Sequence, residues 1–219
     1  MKKLFVILLV ALLLVSFTSC NQDKIDDLEK KVAEKEAENE ATIQNYEDFT
    51  ATYNAAMKIA LVSYTLAYDS SSKSYNETLS AENVTGEKII SAWYYINGGD
   101  YISDVTKSTE EGGISGTIKT SETGASIKNV IVKFTYKTSS SSETTNNGEI
   151  SMNVETTSST SEDGKTRTTT AKSVSLQGVS YKDISFTQDE KGTFTAATVD
   201  GKDVNLNLLN SQIVTTTGK

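Results

Sequence analysis

The chain carries few of the groups that catalysis usually employs. Among its 219 residues there is no histidine and one cysteine, Cys20. The commonest general base at neutral pH, the imidazole metal ligand and any pair of thiols are therefore missing. Carboxylates, hydroxyls and lysines are left. Ser70-Ser71-Ser72-Lys73 spells S-x-x-K, but it lies in a serine-rich connector and no S-D-N or K-T-G stretch accompanies it. Paired carboxylates of the glycosidase kind are defined by their separation in space, which a sequence does not display. Nearly every acid here falls in a polar helix, at a turn or on a wet strand face. Asp200 and Asp203 flank a turn but belong to no D-x-D-x-D-G calcium loop, and no phosphate-cradling glycine motif occurs. No catalytic residue, metal or cofactor is expected.

Aromatic residues are the next candidates. Trp93-Tyr94-Tyr95 lies in a segment read as a strand over 88–96. Alternation would put Trp93 and Tyr95 on one face with Ile89, and Tyr94 on the other with Ile90, Ala92 and Ile96. One set should reach the core, and the other is a candidate stacking surface for a sugar or a lipid. Tyr53, on a helix face earlier in the chain, is the fourth candidate contact.

Three kinds of element must position these groups. From Asp23 to about Tyr68 there is no glycine or proline, and alanine, glutamate, lysine and leucine dominate the first half, so one long helix is expected. Residues 20–42 read as an anchor and polar stalk. Ile25, Leu28 and Val32 keep a three-four spacing that then meets Lys35 and Asn39, too short a seam for an independent coiled coil. Weak self-association through this segment is the alternative to a plain spacer. Residues 43–68 carry Ile43, Tyr46, Phe49, Tyr53, Met57, Ala60, Leu61 and Tyr64 as an apolar stripe expected to pack on the domain that follows. Residues 69–86 form a polar connector.

Beyond that, over 87–210, the texture is that of strands. They are expected near 88–96, 101–107, 114–121, 127–137, 148–157, 166–176, 180–188, 193–199 and 203–209, with turns that include Asn146-Asn147-Gly148, Gln177-Gly178 and Asp200-Gly201. Connections this short hold no crossover helices, so neighbours should pair antiparallel as a meander. Val130, Val132, Phe134 and Tyr136, like Ile150, Met152 and Val154, and Val204, Leu206 and Leu208, alternate with mostly polar neighbours, which predicts one buried face. The expected class is α+β, mainly β: a long helix, then about nine antiparallel strands in a curved sheet packed on it, with a closed barrel as the alternative. The serine- and threonine-rich stretch from Thr156 to Thr170 reads as a hairpin tip, and 211–219 as a tail.

The start of the chain has its own pattern. Met1-Lys2-Lys3 precedes an apolar run, and Phe17-Thr18-Ser19-Cys20 closes it. The uncharged stretch Leu4 to Thr18 falls short of the ~20 residues a helix needs to cross a bilayer core, and the layout is that of a signal peptide over residues 1–19. Phe17-Thr18-Ser19-Cys20 resembles the lipobox of bacterial lipoproteins, with Phe17 in place of the usual leucine and Thr18 in place of alanine or serine. The resemblance implies cleavage between Ser19 and Cys20, a diacylglycerol on the Cys20 sulfur and usually a further acyl chain on the new amino terminus. Each buried methylene contributes about 0.8 kcal/mol, so two or more chains hold a protein stably at a membrane. Asn21, where aspartate would signal retention at the inner membrane, points to the outer membrane under the family's sorting rule.

Cleavage would remove two lysines and shift the formal charge from −8 to −10. So acidic a protein is repelled by polyphosphates, which excludes nucleic acid as a main partner. The expected function is that of a lipid-anchored cell-envelope lipoprotein acting as a non-enzymatic binding or structural module, with a protein, glycan or lipid of unknown identity as partner. The alternative is a carrier or sensor of an apolar ligand held between sheet and helix. A carboxylate hydrolase ranks third.

Overall fold

The computed structural model describes residues 22–98, 101–138 and 141–216. The signal segment and Cys20 lie outside the described residues. Contacts divide the chain between Thr42 and Ile43, within a single helix, α1 (Gln22–Ala67).

Up to Thr42, every side chain described is exposed or half-exposed, Leu28 at 59% and Val32 at 39%. Lys31 Nζ meets Asp27 at 2.6 Å and Lys35 Nζ meets Glu38 at 2.5 Å. Helix propensity and such i, i+4 and i, i+3 pairs support this segment. Among the described residues no helix is long and apolar enough to cross a membrane.

From Ile43 on, α1 leads into a two-stranded hairpin, β1 (Tyr68–Asp69) and β2 (Ser74–Tyr75), and then a second helix, α2 (Gly86–Asn97). Nine strands follow: β3 (Ile102–Lys107), β4 (Ile114–Ser121), β5 (Gly124–Thr138), β6 (Ser141–Thr160), β7 (Thr166–Leu176), β8 (Val179–Ser180), β9 (Ile184–Asp189), β10 (Phe194–Val199) and β11 (Lys202–Asp203), with α3 (Leu206–Thr216) last. They form one open antiparallel sheet ordered β11-β10-β9-β7-β6-β5-β3, with β4 also on β5 and β8 on β7. The barrel alternative is thereby excluded. β3 and β4 do not pair with each other. They line the same edge of β5 end to end, β3 against 134–138 and β4 against 124–132.

The inner face of the sheet is apolar as the alternation predicts: Val130, Val132, Phe134, Ile150, Met152 and Val154 are all buried. The face of α1 that covers it is Phe49, Ala55, Ile59, Val62 and Leu66. The expected stripe meets this face only at Phe49 and the half-buried Tyr46 and Tyr53. Ile43, Met57, Leu61 and Tyr64 are about half exposed. Large apolar residues drew the stripe toward Met57 and Leu61, whereas the buried face also includes Ala55 and the small polar Thr52 and Ser63.

Two expected strands are helices. Residues 88–96 belong to α2, which is capped by Thr85, whose hydroxyl accepts from Lys88 N, and ends on Gly98 in the left-handed region at φ 71°. Isoleucine and aromatic residues favour strands, but Ile89, Ala92, Trp93 and Ile96 also keep the helical spacing, and the caps decide. Residues 203–209 contain only the end of β11. Asn205 then caps α3, its side chain accepting from Asn207 N and Leu208 N, so Leu209 is buried while Leu208 is 38% exposed.

One expected turn is strand. Asn146, Asn147 and Gly148 sit within β6, opposite Tyr136, Thr135 and Phe134. Glycine is needed there because a Cβ at Gly148 would stand 2.5 Å from the Phe134 ring. Thr156 to Thr170 does form the β6–β7 hairpin, paired out to Thr160 and Arg167.

The connector is held on the sheet. Leu79 N donates to Gly116 O and Ile118 N to Glu77 O, which occupies the outer edge of β4, while Leu79 and Val84 are buried. Lys88 Nζ donates to Leu66 O and Asn83 O, both at 3.0 Å, and so binds the last carbonyls of α1 to the connector. At the other margin, Asn210 of α3 donates to Phe194 O and accepts from Phe194 N, which closes an exposed edge of β10 against pairing with another chain.

Candidate functional site

The four aromatic candidates do not form one cluster, although the rings of Tyr94 and Tyr95 meet edge to face at 6.1 Å. Trp93 is half-buried, with its ring 5.2 Å from Phe134 and 5.5 Å from Tyr136. It therefore docks α2 on the sheet. Tyr94 and Tyr95 share the outer side of the helix, exposed at 57% and 42%. The expected pairing of Trp93 with Tyr95 on one face is corrected, because a helix turns 100° per residue where a strand turns 180°. Tyr53 belongs to a separate cluster with Phe49, Phe186 and Phe194, at centroid distances of 5.4 to 6.2 Å. These rings fill the space between α1 and the sheet. Deeper in the interface the hydroxyl of the buried Ser63 faces Met152 Sδ at 3.9 Å.

Sequence reasoning missed a crease across the sheet. On β5 the register slips between Ile127 and Val130, and on β7 an extra residue falls opposite the Asn153–Glu155 step of β6. At the two bulges Asn129 and Ser173 take φ of 49° and 53°, values that side chains larger than glycine adopt at some cost. Asn153 lies between them. Its Oδ1 accepts from Asn129 N at 2.6 Å and its Nδ2 donates to Ser175 Oγ at 3.2 Å. The bulged N–H of Ser173 donates to Asp183 Oδ1 at 3.2 Å.

Along the crease runs an open groove of about 450 Å³, lined among others by Lys128, Asn129, Asn153, Ser175 and Tyr181. Its one carboxylate, Glu155, is paired with Lys128 at 2.5 Å. The hydrogen bond from Lys128 holds the Glu155 carboxyl below its ordinary range. At neutral pH that group is ionised and engaged. Beside this ion pair the groove presents amides, hydroxyls and one phenol ring, groups that donate and accept hydrogen bonds.

The chain matches no family model, no curated protein and no solved structure.

A second polar pair ties α1 to the loop between β8 and β9. Lys182 Nζ lies 2.7 Å from Asp48 Oδ2, and Gln44 donates to Asp48 Oδ1 at 2.9 Å. The bond from Lys182 lowers the Asp48 pKa against the partial burial that would raise it. Among the described residues no three of His, Cys, Asp and Glu gather closely enough to hold a metal ion.

Proposed function

We propose that this protein is a lipid-anchored lipoprotein of the bacterial cell envelope, preferentially the outer membrane, and acts without catalysis as a binding or structural module. Phe17-Thr18-Ser19-Cys20 after an apolar run carries the reading, since it combines a cleavage site with the one thiol the chain has. The anchor is lipid on Cys20. Residues 22–42, as a helix rising ~1.5 Å per residue, span roughly 30 Å and serve as tether.

The binding surface is the polar groove along the sheet crease, around Asn129, Asn153 and Tyr181. The carrier alternative calls for an apolar cavity between α1 and the sheet. The packed rings of Phe49, Tyr53, Phe186 and Phe194 favour a closed interface instead.

Fractionation of cells producing the full chain tests the anchor. Wild-type protein should sediment with membranes and partition into detergent, and Cys20→Ser should release it or leave it as uncleaved precursor. Equal membrane association of a folded, cleaved Cys20→Ser protein would remove the basis of the proposal.

A further inference from the structure

We infer that the exposed segment of α1 before Ile43 is a parallel self-association surface, and that its partner is the same segment of a second copy at the same membrane. The inference rests on the lipid-anchor reading.

Ile25, Leu28 and Val32 take the a, d and a positions of a heptad. Leu28 and Val32 stand exposed on the helix, at 59% and 39%. In the same register Lys24 and Lys31 occupy g, and Glu29 and Glu36 occupy e. In a parallel, in-register pair, each g residue faces the e residue five positions on in the other chain. Lys24 then meets Glu29, and Lys31 meets Glu36, twice over by symmetry. An antiparallel pair would set g against g and e against e, lysine on lysine and glutamate on glutamate. The charges thus select one orientation and oppose the other.

That orientation is the one a shared anchor imposes. Chains lipidated at Cys20 enter the membrane from the same end, so their helices start level and parallel. Three apolar layers followed by Lys35 and Asn39 are too few for stable pairing of free chains. Confinement to a membrane raises the effective concentration of one helix about another, so the surface pairs chains at the membrane and leaves anchor-free protein monomeric.

The chain suits a cysteine test, because Cys20 is its only thiol and lipidation consumes it. Leu28→Cys, Val32→Cys and Lys30→Cys are introduced one at a time into the full chain, and the membrane and soluble fractions are each oxidised. Disulfide-linked dimers are expected from positions 28 and 32 but not from 30, which lies on the opposite side of the seam. Adding Glu36→Lys to Val32→Cys should lower its dimer yield roughly five- to ten-fold, because two attractive pairs become repulsive. Adding Glu34→Lys, the same charge change off the seam, should leave it unaltered.

Membrane-bound protein that forms no dimers, or forms them equally at all three positions, overturns the pairing and leaves the anchor standing. Dimers at 28 and 32 in protein that does not sediment overturn the anchor and, with it, the dependence of pairing on a shared membrane. Soluble protein without dimers overturns both.

Discussion

Single side chains hold the irregular parts of this sheet together, and that is where substitutions should be felt. Asn153 satisfies a bulged N–H on β5 and reaches Ser175 on β7. Asn153→Ala should cost about 0.5–1.5 kcal/mol in chemical denaturation, the net contribution of the hydrogen bond to the solvent-exposed Asn129 amide, while Ser159→Ala on the exposed hairpin should stay within about 0.5 kcal/mol. Gly148→Ala must displace the Phe134 ring and should cost about 1–3 kcal/mol. Asp48 adds a pH dependence. Its pKa is lowered in the folded state, so its contribution is present above the unfolded aspartate value of about 3.9 and disappears as pH falls through the lower folded value. Lys182 is half exposed, so Asp48→Asn should cost no more than about 1 kcal/mol at pH 7. The difference from wild type should shrink as pH falls below the unfolded aspartate value, and a difference that grew on acidification would contradict this sign.

At the scale of elements, α2 gives the sharpest contrast. Trp93→Ala should destabilise by about 2–4 kcal/mol, whereas Tyr94→Ala and Tyr95→Ala should each change thermal stability little, because their rings lie outward. Equal losses for Trp93 and Tyr95 would restore the strand reading. That reading arose because Ile89-Ile90 and Trp93-Tyr94-Tyr95 are strand formers, and in twelve residues the helical period repeats too few times to outweigh them. The deciding signals, Thr85 before and Gly98 after, are caps and not core residues. Most of the meander was legible for the opposite reason: Val130 to Phe134 and Ile150 to Val154 alternate cleanly, and Gln177-Gly178 and Asp200-Gly201 supply consecutive positive φ, as two-residue hairpin turns require. The crease was not legible. Asn129 and Ser173 are ordinary polar residues until strand pairing makes each one too many. Edge closure is a device of the same scale. Asn210→Ala frees the backbone of Phe194 and should raise the aggregation rate of concentrated protein more than its loss of stability alone explains.

The whole molecule, as proposed, is a non-catalytic envelope lipoprotein with a packed core and a polar binding surface. Residues 21–219, purified gently without the anchor, should give a single ligand-free mass under native conditions, because aromatic rings occupy the space between α1 and the sheet. A co-purifying lipid lost on a Phe49 or Tyr53 substitution would replace the module with a carrier. The anchor itself is most directly tested by the intact mass of full-length protein extracted from membranes in detergent, followed by sequencing of its first peptide. A chain beginning at Cys20 and carrying diacylglycerol is the predicted result. A chain that begins elsewhere, or that bears an unmodified Cys20 thiol, would contradict the account at its base.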